Sequence, residues 1–128
     1  MCMGYVRVKG VIGSADGSKV KEVDFLADTG AFYTVIDPEL AKDLGIKPMT
    51  TIRLKLADGR EVTAGLSLAY MRFLDRDGVF PVVIMESPEP LLGVVTLEGL
   101  GLRVDPTTGR LEYSRPYGLA IFMGQVGN

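Results

Sequence analysis

Residues 24–36 read "DFLADTGAFYTVI". An apolar run, Phe25-Leu26-Ala27, stops at an acid, Asp28, and a second apolar run, Val35-Ile36, begins seven residues later. Burying even part of a carboxylate among such neighbours costs free energy, so the placement needs a reason. Thr29 adds a hydroxyl. Gly30 allows a tight turn or a close approach of backbone to a ligand. The stretch describes an acid displayed on a loop at the end of a strand. The plain alternative is an Asp that only starts a turn, as many Asp-x-Gly triplets do.

The flanking sequence reads as strands and turns. "YVRVKGVI" (5–12) and "KVKEVDFLA" (19–27) form a hairpin around the turn "GSADGS" (13–18). In "TIRLKLA" (51–57), Ile52, Leu54 and Leu56 alternate with Arg53 and Lys55, the period of a half-buried strand. "DGR" (58–60) opens with a strong hairpin signal, and "EVTAGLSLAYMRFLD" (61–75) follows as a long strand bent near Gly65. "RDG" (76–78) reads as a turn and "VFPVVIM" (79–85) as a strand, with Pro81 marking an edge or a bulge. "KPMTT" (47–51) reads as a loop.

One or two short helices are expected. "DPELAKDLG" (37–45) has Asp37 as N-cap, Pro38 at the first helical position and Gly45 as stop. "GVVTLEGLG" (93–101) is the second. Beyond it come a strand (102–105), a turn (106–109), a strand (110–114) and an apolar piece, "GLAIFM" (118–123). That last piece either completes the sheet or pairs with a second copy. The expectation is a mostly β domain, 1–128, with one or two short helices in one unit.

Composition narrows the chemistry. The 128 residues are 47% apolar and 23% charged, which suits a globular domain. The net charge of −2 and the lack of a basic stripe argue against nucleic acid. No apolar run is long enough to span a membrane, and the start of the chain lacks the apolar core of a secretory signal. With a single cysteine, Cys2, the expected location is the cytoplasm. There is no histidine. That excludes Ser-His-Asp and Cys-His catalysis and nearly every zinc site. No acidic cluster has ligand-like spacing, so no metal and no cofactor is expected.

"ADTGAFYTVI" (27–36) resembles the active-site segment of retroviral-type aspartic proteases, the retropepsin-like family. The shared pattern is an apolar run, Asp28-Thr29-Gly30-Ala31, two variable residues, Phe32 and Tyr33, then Thr34 and the pair Val35-Ile36. A second mark of the family is two apolar residues plus glycine before a short helix. Here that is "PLLGVVTLEGLGL" (90–102), with Leu91, Leu92 and Gly93. The "LADGRE" hairpin (56–61) falls between the two, where the family carries its flap. The match is to the single-lobe, prokaryotic and cellular kind.

The resemblance implies a small closed acid-protease-type β-barrel, one lobe per chain. It implies an aspartic endopeptidase in which Asp28 is catalytic, supported by Thr29, Gly30 and Ala31. Ala57, Asp58, Gly59, Phe32 and Tyr33 are expected to bind substrate. Leu91, Leu92 and Gly93 are expected to pack behind the loop. Only one Asp-Thr-Gly occurs, so the second acid is expected from a second copy, in a C2 homodimer acting on peptide or unfolded protein. The alternatives are a catalytically silent dimerisation or peptide-binding module of the same fold, and an unrelated small β-barrel.

The sequence also departs from the viral pattern. Many retroviral members carry an acid after Asp-Thr-Gly-Ala and an arginine after the apolar-apolar-Gly. Here those positions are Phe32 and Val94, so both halves of that ion pair are absent.

Overall fold

The computed structural model describes residues 6–117. Its elements in chain order are β1 (Val6–Ser14), β2 (Val20–Ala27), β3 (Thr34–Ile36), α1 (Pro38–Asp43), β4 (Thr50–Lys55), β5 (Glu61–Phe73), β6 (Arg76–Ile84), β7 (Leu91–Leu92), α2 (Val94–Leu100), β8 (Leu102–Asp105) and β9 (Arg110–Tyr113). The chain is thus mostly β with two short helices. The expected 118–123 strand and Cys2 lie outside the described residues.

The main sheet runs β1-β2-β7-β3-β6-β5-β4, and β1 also pairs with β5. Six strands therefore close into a ring, with β4 attached outside it along β5. The β1–β2 hairpin pairs Val6 with Ala27 through to Gly13 with Val20. β5 makes the closure possible because it changes partners along its length. Glu61–Leu66 face β4, Gly65–Phe73 face β6, and Ala69–Arg72 also face β1. The exchange occurs at Gly65, where the sequence places the bend.

Alternation fills the ring. Val8 and Ile12 from β1, Phe25 from β2 and Ala69, Met71 and Phe73 from β5 are buried in one cluster with Ile36, Val82 and Leu92. Phe25 and Phe73 meet edge to face at 5.2 Å, a favourable arrangement for two rings. Gly10 on β1 makes room for them. A Cβ there would lie 2.2 Å from the Phe73 ring.

The helices start and stop for local reasons. Asp37 caps α1 by accepting the Leu40 N–H on Oδ1 at 2.8 Å, and Pro38 occupies the first turn. α2 ends at Gly101, whose φ of 69° suits glycine.

Two local expectations change. The turn read at 76–78 is strand, and the reversal is made by Leu74 and Asp75 instead. Leu74 adopts φ 58°, a conformation costing about 1–2 kcal/mol for a residue with a side chain. What offsets it is Arg76, opposite Phe73 at the first rung of β6. Its Nη1 donates to the carbonyls of Leu100, Gly101 and Arg115 at 3.0, 2.9 and 2.8 Å. Second, Thr50 and Thr51 belong to β4, so the loop before it is shorter than 47–51. The edge reading of Pro81 holds locally: β6 is an inner strand, yet its ladder to β3 begins only at Val82. Pro81 therefore sits where β6 has no β3 partner, and its missing N–H costs that ladder nothing.

Candidate active site

Asp28 follows the last residue of β2. β2 and β7 are parallel, with Leu26 opposite Leu91 and Ala27 opposite Leu92. The Leu26 N–H donates to the Pro90 carbonyl at 2.9 Å, and the Asp28 N–H donates to the Leu92 carbonyl at 3.0 Å. The second marked segment thus holds the first by its backbone. The chain then turns at once. Ala31 N–H donates to the Asp28 carbonyl at 3.0 Å, and Gly30 N–H donates to Asp28 Oδ1 at 2.9 Å. Asp28 is half-buried, while Thr29 and Gly30 are exposed at the loop tip.

α2 supports the loop from behind. Val94 and Val95 N–H groups donate to the carbonyls of Ala31 and Phe32, each at 2.9 Å. Gly93 is buried against Tyr33, and a Cβ at that position would lie 2.4 Å from the Tyr33 carbonyl carbon. Nothing larger than glycine fits without moving the loop. Gly93 N–H donates to Thr34 Oγ1 at 3.0 Å. Thr34 Oγ1 in turn lies 2.8 Å from Thr96 Oγ1. Leu92 is fully buried below.

In front of the loop is a groove of about 480 Å³. Asp28, Gly30, Ala31, Phe32 and Tyr33 line one side, and Leu54, Lys55, Leu56 and Ala57 of the β4–β5 hairpin line another. Leu91, Val35 and Val83 lie side by side across β7, β3 and β6 and form an apolar floor. Met85, Glu86 and Ser87 complete the wall beyond β6. Phe32, 63% exposed, stands edge to face with Tyr33 at 4.9 Å.

Of the residues singled out in sequence, Asp28, Gly30, Ala31, Phe32, Tyr33, Ala57 and Leu91 meet at this groove. Leu92 and Gly93 pack behind it. Thr29 is at the exposed tip, and Asp58 and Gly59 are exposed at the hairpin turn, outside the groove lining. There Asp58 accepts from the Arg60 backbone N–H at 3.0 Å and from Arg60 Nε at 2.8 Å. These two bonds, the backbone one first, hold its carboxyl below the usual carboxylate range. The sequence did not reveal Val83, Met85, Glu86 and Ser87, nor Thr96 as the partner of Thr34. The alternation in β4 already placed Leu54 and Leu56 on one face.

Among the described residues, no group of three or more His, Cys, Asp or Glu is placed to hold a metal ion. Nor is any helix long and apolar enough to cross a membrane.

An acid on a glycine turn, clamped to a second apolar-apolar-Gly segment and facing a groove under a hairpin, is the arrangement of a retropepsin-like aspartyl protease. The profile of a family described as aspartyl protease matches residues 6–96, from β1 into α2. The chain belongs to that family, which is of the retropepsin-like clan, and its activity class is that of an aspartic protease. A comparison with curated proteins finds no match.

Proposed function

We propose that two copies of this chain assemble about a C2 axis into an aspartic endopeptidase, with both Asp28 side chains on the axis. The observation that carries this is the position of Asp28. It is the acid of the chain's lone Asp-Thr-Gly, half-buried in the lining of a groove, beside an exposed loop tip. One carboxylate is a weak peptide hydrolase, so a second must come from another copy.

Two carboxylates in contact do not both ionise, so the pair keeps one proton and titrates as a unit. The ionised member takes a proton from a water held between them. That water attacks the scissile carbonyl, and the protonated member stabilises the oxyanion. The leaving nitrogen then receives a proton from the pair. Thr29, exposed in the single chain, bonds across the axis and holds the two loops together. Gly30 offers its carbonyl to an extended peptide, and Ala31 leaves space beside the acid. The hairpin tip at Ala57, Asp58 and Gly59 closes over the peptide and adds strand-like hydrogen bonds. Peptides or unfolded proteins in the cytoplasm are the substrate class.

Mixing wild-type chains with Asp28→Asn chains tests the shared site. The proposal expects mixed dimers to be inactive, so activity falls faster than the wild-type fraction. A fall in simple proportion to that fraction would mean that each chain works alone.

A further inference from the structure

Apolar side chains make up most of the groove lining. Its floor is Leu91, Val35 and Val83, and Leu54 and Leu56 cover it from the hairpin. Besides Asp28, the exposed side chains of Lys55 and Glu86 add charge to the lining. Lys55 ends β4, and Glu86 lies just beyond β6. β5 lies between those two strands, so the two charges reach the groove from different strands. Among the described residues, neither Lys55 nor Glu86 takes part in an ion pair. Their neighbours do. Arg53 pairs with Glu61, Asp58 with Arg60, and Glu89 with Arg7. Among the described residues, Glu86 is the only groove-lining carboxylate besides Asp28, and it is exposed and outside any ion pair.

Resting on the peptidase reading, we propose that Glu86 is a specificity-determining residue that selects substrates with a lysine or arginine close to the apolar side chain held by the floor. A peptide in the groove displaces water from the apolar walls, and this strengthens the attraction between Glu86 and a cation. The same carboxylate repels an acidic side chain there, so selection works in both directions. Lys55, at the end of β4, puts the opposite charge elsewhere in the same lining. A substrate cation is drawn to Glu86 and away from Lys55.

The test uses peptides with a central Leu-Phe pair and a single Lys or Glu walked through the flanking positions. Cleavage is followed with wild type, Glu86→Gln and Glu86→Lys. The expected result is a position where wild type prefers Lys to Glu by about threefold to tenfold. The preference levels in Glu86→Gln, inverts in Glu86→Lys and shrinks as salt rises. An equal preference in wild type and Glu86→Gln overturns the proposal. Binding of the same peptides to Asp28→Asn chains, read by fluorescence anisotropy, separates the two readings. Lys-over-Glu binding that depends on Glu86, with no cleavage by wild type, defeats the peptidase reading and supports Glu86 as a selector. Cleavage without charge preference defeats the selector alone.

Discussion

Thr34 and Thr96, 62 residues apart in sequence, share a 2.8 Å hydrogen bond with no access to solvent. Thr34 Oγ1 also accepts the Gly93 N–H at 3.0 Å, so one buried hydroxyl joins all three residues. The chain leaving the Asp28 loop is thereby tied to the helix behind it. Thr96→Val keeps the volume and takes a buried partner from the Thr34 hydroxyl, at about 1–3 kcal/mol. Thr34→Val also orphans the Gly93 N–H and costs more. Urea unfolding of the two single variants and the double variant measures the coupling, and the account expects strong non-additivity.

Arg76 is the corresponding tie at the other end of α2. Besides its three carbonyl bonds, its guanidinium lies over the Tyr113 ring at 4.2 Å and near the Tyr117 ring at 5.6 Å. Arg76→Met keeps much of the stem and loses the fork, so the Leu100 and Gly101 carbonyls lose a partner. The expected loss is about 2–4 kcal/mol. Arg76→Lys recovers little of it, because an ammonium cannot match the planar contact. Thermal or urea denaturation of both variants checks the order.

The β5–β6 turn carries a pH signature. Tyr113 OH donates to Asp75 Oδ1 at 2.6 Å. That bond, first among its causes, lowers the Asp75 carboxyl from 3.8 and raises the Tyr113 phenol from 10.0. A lowered acid contributes stability above its unfolded pKa and loses it as pH falls through the folded one. A raised phenol contributes below its unfolded pKa and loses it as pH rises through the folded one. The difference between wild type and Tyr113→Phe therefore forms a plateau at intermediate pH. It shrinks below about 3.8 and above about 10. Denaturant titrations across that range read it directly, and a flat difference would dismiss the bond.

Much of this architecture was legible in the residues. The β1–β2 hairpin, the Asp37-capped helix, the β4 alternation and the bend at Gly65 each rest on local patterns. Those patterns survive packing because the long strands have one face in the core. β3 and β7, of three and two residues, are too short to show a period. They exist because distant strands complete their hydrogen bonds. The turn at Leu74 was hidden because a non-local partner, Arg76 against α2, overrides the glycine signal at 76–78. The site divides the same way. Asp28 and its glycines stand out in sequence, whereas Val83, Met85 and Glu86 reach the groove only through the register of β6 with β3 and β5.

The most direct measurement is cleavage of an unfolded protein by wild type and by Asp28→Asn, from pH about 3 to 7, at concentrations high enough to populate a dimer. The account predicts cleavage by wild type and a loss of at least about 10³-fold in the variant, whose amide can neither share the proton nor act as base. Equal cleavage by both chains would place the chemistry elsewhere and contradict it.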